Sequence, residues 1–341
     1  MPNLSEAAPE LGSPIARGSG KRPSGPLVEL VFKALRSRES GVVGALVILC
    51  LVLTVATGKF MTPYNLGIVV RQIAFVGMVA LGQTLVLLTG GIDLSVGYVA
   101  GLCSIIGSLL MVNTGINPYV CALIAMLLGA FLGFLNGALI SYFRFNPFIA
   151  TLAMGEVFAG MVLVITKGYP VTGIPASFSF LGQGMIASIP LPTILTVLVA
   201  VILSFMLKRT PHGRFIYAVG GNESAAHLAG ISIKTVKISV YMLSGFMAAF
   251  AGLMFVSRAN AGQPTIGPSW QLPSITAAIL GGTSLVGGEG TMFGTIIGAT
   301  LMGVLANGIV LMDISSYWER VIIGVVVIAA VLADTLRIKR S

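Results

Sequence analysis

Asp93, Glu156 and Arg71 are ionisable side chains set inside apolar stretches of this chain, and His212 and His227 are its two histidines. A carboxylate in hydrocarbon is costly and invites a functional reading, since a bound proton or sodium ion could drive solute movement. Each group also has a structural reading. Asp93 follows a glycine pair and can act as an N-cap-like acceptor for the helical stretch after it. Glu156 sits among small and apolar residues, where a hydrogen bond to a neighbouring helix outweighs contact with a solute. Arg71 lies near one end of its stretch and can reach outward to the interface. Both histidines fall in a polar connection. No HExxH, Cys–His or Ser–His–Asp set can be assembled, and no GxxxxGK[ST] phosphate loop occurs. The chain therefore reads as a non-enzyme with no cofactor or metal of its own. If it pumps, ATP and magnesium belong to another polypeptide.

The elements around these groups are marked by glycine. Leu280–Gly303 (LGGTSLVGGEGTMFGTIIGATLMG) and its shorter echo Thr89–Gly101 (TGGIDLSVGYVAG) are glycine-dense, nearly uncharged kinks inside long apolar runs. In water each such glycine would weaken a helix by about 1 kcal/mol relative to alanine. In a bilayer, small residues permit close helix contact, and broken backbone survives where protein or a water-filled path surrounds it. The two kinks align loosely as GGIDLSVG and GGTSLVGG, which fits an internal duplication. Glycines four apart at Gly129/Gly133/Gly137, Gly290/Gly294/Gly298 and Gly97/Gly101 predict tight helix crossings, chiefly within one subunit.

Composition places all of this in a membrane. The 341 residues are 56% hydrophobic and 9% charged, with a mean hydropathy of +0.98, against roughly 25% charged for an ordinary soluble domain. Apolar runs predict ten spans, near 42–58, 64–88, 92–113, 117–142, 148–166, 191–207, 237–257, 270–286, 290–312 and 318–336. Eight spans remain open if two short segments are re-entrant. Cys50, Cys103 and Cys121 lie inside these runs without a CxxC pair and read as small buried hydrophobes. The expected organisation is a disordered or amphipathic N-terminal segment over 1–41, a membrane domain over 42–336 and a short tail over 337–341. Leu30–Arg38 has the pattern of a surface-lying basic helix.

A net charge of +9 would suggest nucleic acid in a soluble protein. Here its placement suggests orientation. With an even span count, 15 of the 20 basic residues fall on one side: the tail residues, Arg144, Lys208, Arg209, Arg214, Lys234, Lys237 and the C-terminal Arg337, Lys339 and Arg340. The positive-inside rule then puts both termini in the cytoplasm, with no role for nucleic acid.

Two connections are long enough to carry function. The outer one, Lys167–Pro190, is rich in Gly, Pro and Ser. The inner one, 208–237, is basic, and Asn222 can cap a short helix from Glu223 to about Leu228 that Gly230 stops. The acid in its first turn suits the helix dipole. Ala225, Ala226, Leu228 and Ala229 give that helix a compact apolar surface suited to a partner's groove.

Read together, GRFIYAVGGNESAAHLAGI (213–231), LLTGGIDLSVG (87–97) and ILGGTSLVGGEGTMFGTIIGA (279–299) resemble the permease subunit of ribose-type ABC sugar importers. AGQPTIGPSWQLPSITA (261–277) and ISSYWERVIIGVVVIAAVLAD (314–334) are similar to it as well. The resemblance runs in order from about 42 to 336. It implies an all-α, polytopic permease fold of about ten helices with broken or re-entrant segments. It implies a second permease copy, an ATP-hydrolysing subunit and a periplasmic binding protein that delivers a monosaccharide or polyol. Gly221, Asn222 and Glu223, with Ala226, Leu228 and Gly230 in the helix after them, would couple the permease to the ATPase. Asp93, Ser95, Thr283 and Ser284 would lie close to the translocation path. The alternatives are an ion-coupled secondary transporter using Asp93 or Glu156, a related permease for branched-chain amino acids and, more remotely, a membrane enzyme.

Overall fold

A computed structural model describes residues 40–315 and 317–338. The N-terminal segment expected over 1–41, its basic residues, the Leu30–Arg38 helix and the last residues of the tail lie outside the described residues, apart from 40–41 and 337–338. All ten apolar segments contain a helix. They are α1 (Ser40–Thr57), α2 (Pro63–Leu88), α3 (Val96–Asn113), α4 (Pro118–Tyr142), α5 (Pro147–Thr166), α7 (Leu191–Arg209), α10 (Ile233–Ala259), α11 (Pro268–Leu280), α12 (Met292–Leu311) and α13 (Tyr317–Ile338). Between them come α6 (Phe180–Gln183), α8 (Pro211–Gly221) and α9 (Glu223–Leu228), and one two-stranded hairpin, β1 (Met185–Ile186) with β2 (Ile189–Pro190). Among the described residues, seven helices are long and apolar enough to cross a bilayer: α2, α3, α4, α5, α7, α10 and α12.

Local chemistry sets the helix starts. Thr62, Asn117, Asn146 and Thr210 each cap the helix that follows with a side-chain oxygen, and a proline occupies the first helical position after each. That proline has no N–H to leave unsatisfied.

α10 is the centre of the bundle, packed against α4, α2 and α3. The predicted glycine ridges explain how closely. Along α4, a β-carbon at Gly133 would overlap the Tyr241 carbonyl, and one at Gly137 would meet the Ile238 Cα at 2.8 Å. Gly294 and Gly298 abut the Gly281 and Ala277 carbonyls of the α11 segment in the same way, and Gly97 abuts Gly267. These ridges are spent inside the subunit. Asn65 and Asn307 exchange amide hydrogen bonds of 3.1 and 2.9 Å between α2 and α12, and Thr84 and Thr295 pair at 2.6 Å. Such polar pairs hold helices together where burial of apolar surface cannot.

Two expected spans are corrected. The stretch near 270–286 is helical only over α11, whose 13 residues rise about 20 Å, short of the roughly 30 Å hydrocarbon. Trp270 at its start stacks on Phe75, half-way along α2, with ring centroids 6.1 Å apart. α11 is thus a half-helix that begins inside the bundle and breaks at Gly281. The stretch near 92–113 becomes helical only at Val96. Residues 89–95 run back beside α2 as non-helical backbone before α3 begins. In each case the apolar run hid the break, because hydropathy does not register where backbone hydrogen bonding changes.

Candidate functional site

Three backbone segments meet at the end of the bundle that carries the α7–α10 connection. The first is the turn after α2, where Gly90 has φ +73°. The second is the loop 281–291 between the half-helix α11 and α12. The third is the C-terminus of α8. The Gly288 N–H donates to the Leu88 carbonyl at 2.9 Å, joining the first two. Gly220 of α8 sits so close to both that a β-carbon there would overlap the Leu88 carbonyl and come within 2.6 Å of the Gly288 nitrogen. The Tyr217 hydroxyl adds a hydrogen bond of 2.8 Å to the Gly290 carbonyl. Burial raises the Tyr217 phenol above its ordinary range, so it stays a neutral donor. The two glycine kinks, similar in sequence, are therefore neighbours in space, and one helix of the connection rests on both.

The next residues form the element expected from the sequence. The Asn222 side chain accepts from the Ala225 N–H at 2.9 Å and caps α9. The Gly230 N–H donates to the His227 carbonyl at 2.9 Å and the Ile231 N–H to the Ala226 carbonyl at 3.0 Å, with Gly230 at φ +82° closing the helix. Glu223 in the first turn pairs with Lys237 at 2.6 Å. Ala226 faces inward and is buried, whereas Leu228 is 88% exposed. α9 is a helix stitched at both ends that holds an apolar knob away from its own protein. A β-carbon added at Gly221 would meet open space, although the Gly221 backbone itself lies against Gly288. Helix α8 itself had gone unseen in the sequence, although Thr210-Pro211 at its start carries the same cap-and-proline signal as other helices here.

The four kink residues are held inside the bundle in this conformation. Asp93 Oδ1 accepts from the Ser95 N–H at 2.9 Å and from the Ser95 hydroxyl at 2.6 Å, a turn within the break itself; α3 starts at Ser95 without a side-chain cap, so Asp93 does not cap it as expected. Asn136 of α4 donates to the Ser95 hydroxyl at 2.7 Å, and Thr151 of α5 accepts from the Leu94 N–H at 3.0 Å. The Gln83 amide, oriented with its nitrogen toward the Asp93 carbonyl, spans the Asp93 backbone at 3.1 and 3.2 Å. Tyr241 of α10 donates to the Ile92 carbonyl at 3.1 Å. Thr283 and Ser284 are buried in the second kink, where the Ser284 hydroxyl accepts from the Val286 N–H at 3.2 Å. The Asp93 and Ser95 polar groups thus fix the shape of the first break.

Glu156 does not follow its expected reading. It lies exposed on the outer surface of α5, near Tyr98 of α3, with no hydrogen bond to a neighbouring helix among the described residues. Ala153, three residues before it, and Gly160, four residues after it, are exposed on the same face. Its helix is apolar all round, so no amphipathic pattern revealed which way position 156 would point. Arg71 is half-buried on α2, close to Arg258 near the far end of α10. Cys103 and Cys121 are buried and Cys50 is partly so, all as free thiols.

At the opposite end, the 167–190 connection folds onto the helices. Phe178 is fully buried among Met111, Cys121, Leu253 and Val256. The Gly182 N–H donates to the Ser257 hydroxyl at 2.7 Å, and Val171 and Gly262 form a two-way backbone bridge. Among the described residues, no group of three metal-ligating side chains comes together.

Comparison with known proteins bears on what such an assembly is. The family described as "Branched-chain amino acid transport system / permease component" matches residues 65–331. The chain is 43% identical to the ribose import permease protein of Bacillus subtilis, over 85% of this chain and 90% of that one. It is 39% identical to the ribose import permease protein of Escherichia coli K12 (89% and 95% covered) and 35% identical to that organism's D-allose transport system permease protein (81% and 85%). No solved structure matches. With its apolar helices, its half-helix α11 and its capped connection helix, the chain belongs to this family of multi-pass membrane permease components.

Proposed function

We propose that this chain is the membrane-spanning permease subunit of an ATP-binding-cassette importer that moves a monosaccharide. The substrate class follows the relatives, which are named for ribose, allose and fructose. In this reading the protein lies in a bacterial inner membrane with both termini in the cytoplasm. A periplasmic binding protein delivers the sugar at the 167–190 end. An ATPase subunit carrying ATP and magnesium docks at α9, where Gly221, Asn222, Glu223, Ala226, Leu228 and Gly230 form the coupling element. An ion-coupled mechanism finds no support in the relatives, and Asp93, the carboxylate it would need inside the bundle, is already engaged by its own turn.

One observation carries the reading: α9 holds Leu228 out to a partner while the helix joined to it rests on both broken segments at once. A push on α9 passes through Gly220 to Leu88 on one side and Gly288 on the other. Both kinks then shift together, which moves α3 and the α11–α12 pair as rigid pieces beside the path. Asp93, Ser95, Thr283 and Ser284 shape the breaks next to that path, and the permease holds the sugar weakly enough for it to leave.

A second copy of the chain completes the path. Support comes from Glu156, a carboxylate on a helix face that lipid would penalise by roughly 2.5–3.5 kcal/mol. Facing a water-filled route between two copies removes that penalty.

The test is uptake of labelled ribose, allose and fructose by the permease reconstituted with its ATPase and binding protein. Glu223→Arg should leave the protein folded and membrane-inserted while separating ATP hydrolysis from uptake. Wild-type uptake by this variant would sink the coupling assignment.

A further inference from the structure

A half-open recess of about 890 Å³ lies beside α9, between the α4–α5 turn and the start of α10. Its walls include Arg144, Lys234, Lys237, Glu223, His227 and Ser141. Three cations here face one carboxylate, and that carboxylate is already taken: Glu223 pairs with Lys237 at 2.6 Å. Lys234 lies over the Tyr142 ring, 4.8 Å from its centroid, and Arg144 projects from a left-handed backbone position at φ +56°. Neither has a carboxylate within ion-pair reach among the described residues. The Ser141 hydroxyl is buried with no hydrogen-bond partner. A concave, net-positive site with an unused buried hydroxyl fits a phosphate oxygen.

Its surroundings say what carries the phosphate. Tyr142, Phe143, Phe145 and Phe148 are all exposed around the recess, and aromatic side chains gather at the level of lipid headgroups. From the rim, the exposed Phe148, Ile149 and Leu152 run up α5 as an apolar track. A head in the recess and chains on that track describe one amphipathic molecule. Basic pockets between membrane helices on the cytoplasmic side bind anionic headgroups for the same reason.

We infer that this recess binds the headgroup of an anionic glycerophospholipid, its phosphodiester held by Arg144 and Lys234 and its acyl chains lying along α5. The phosphate also competes with Glu223 for Lys237, so the anionic lipid content of the leaflet loosens or tightens the start of α9. Binding itself is independent of the coupling role proposed for that helix.

The test uses the purified permease in a neutral detergent, following its thermal midpoint against ligand concentration. Dioctanoyl phosphatidylglycerol should stabilise it saturably, dioctanoyl phosphatidylcholine and inorganic phosphate much more weakly. Arg144→Gln/Lys234→Gln should weaken the phosphatidylglycerol response roughly 30-fold, and Arg144→Lys/Lys234→Arg should retain most of it, which excludes misfolding as the cause. Lys208→Gln/Arg209→Gln, basic residues at the same end but away from the recess, should change nothing. Equal stabilisation by phosphatidylcholine overturns the proposal, as does an unchanged glutamine double variant or an equal loss in the Lys208/Arg209 control. Inorganic phosphate as potent as the lipid would make this a free-anion site. Loss of ATPase association in Arg144→Gln/Lys234→Gln with an unaltered lipid response would make it a protein-docking surface. Either result rules out a lipid occupant.

Discussion

The two ends of this molecule treat their long connections in opposite ways. At one end, residues 167–190 use a short 3-10 turn, the four-residue α6 and a two-stranded hairpin to cover the helices, with Phe178 wholly inside. At the other, the α8–α9 connection spends its capping interactions on standing away from the bundle, with Leu228 left 88% exposed. The first end sinks Phe178 into its own core, although Tyr169, Phe180, Met185, Ile186 and Ile189 stay exposed around it. The second reserves one for something else. Apolar exposure on a capped helix outside the apolar spans differs from apolar exposure on a helix facing lipid: no hydrocarbon solvates it, and in the proposed reading the ATPase subunit covers it.

If that contrast is real, truncation should have opposite signatures at the two ends. Phe178→Ala empties a site lined by Met111, Cys121, Leu253 and Val256 and should cost about 3–5 kcal/mol of stability. A lower thermal midpoint with normal association to the ATPase subunit is the expected result. Leu228→Ser should do the reverse, leaving the midpoint unchanged and weakening association by about 1.5–3 kcal/mol, the value of burying one leucine. Loss of stability in Leu228→Ser would mean that the side chain serves its own fold.

How much of this was legible in the sequence depended on range. Asn222, Glu223 and Gly230 act on neighbours within a few residues, so cap, dipole and stop could be read directly and α9 was delimited correctly. The Gly129/Gly133/Gly137 ridge was legible as a close crossing because its period belongs to one helix. Its partner on α10 was not. The contacts of Leu88 with Gly288 and of Gly97 with Gly267 join residues far apart in sequence, and a single chain carries no record of such pairs. The half-helix α11 escaped for another reason: Trp270–Leu280 and the glycines after it are continuous in hydropathy. The shape of 167–190 was illegible too, since its few strand residues, Met185–Ile186 and Ile189–Pro190, are too short to show alternation.

Smaller effects sharpen the picture of α9 as an element held out in one orientation. Asn222→Ala removes the oxygen that accepts the Ala225 N–H and should cost about 1 kcal/mol locally. Hydrogen exchange would register this as faster exchange confined to the first turn of α9, with Phe178 and the far end unaffected. Asn222→Asp keeps an acceptor and adds charge at a helix N-terminus, so it should restore protection. Loosening that spread through α8 to the kinks would show that the cap supports the whole junction rather than one turn.

The smallest effect concerns the Glu223–Lys237 pair, where the geometry is good but the acid is half exposed to water. Exposed pairs contribute roughly 0.2–1 kcal/mol and fade with salt. A double-mutant cycle with Glu223→Gln and Lys237→Gln should therefore give a coupling energy within that range, lower at high ionic strength. The pair ties the first turn of α9 to the first turns of α10, the helix that Gly129 and Gly133 hold against α4. Its role is then orientation rather than stability: it aims α9 from the most firmly packed helix in the bundle. The two single variants should accordingly leave the thermal midpoint nearly unchanged while lowering ATPase coupling. If the midpoint falls in step with coupling, the pair is structural, and the division between an end that closes on itself and an end that presents a partner surface loses one of its supports.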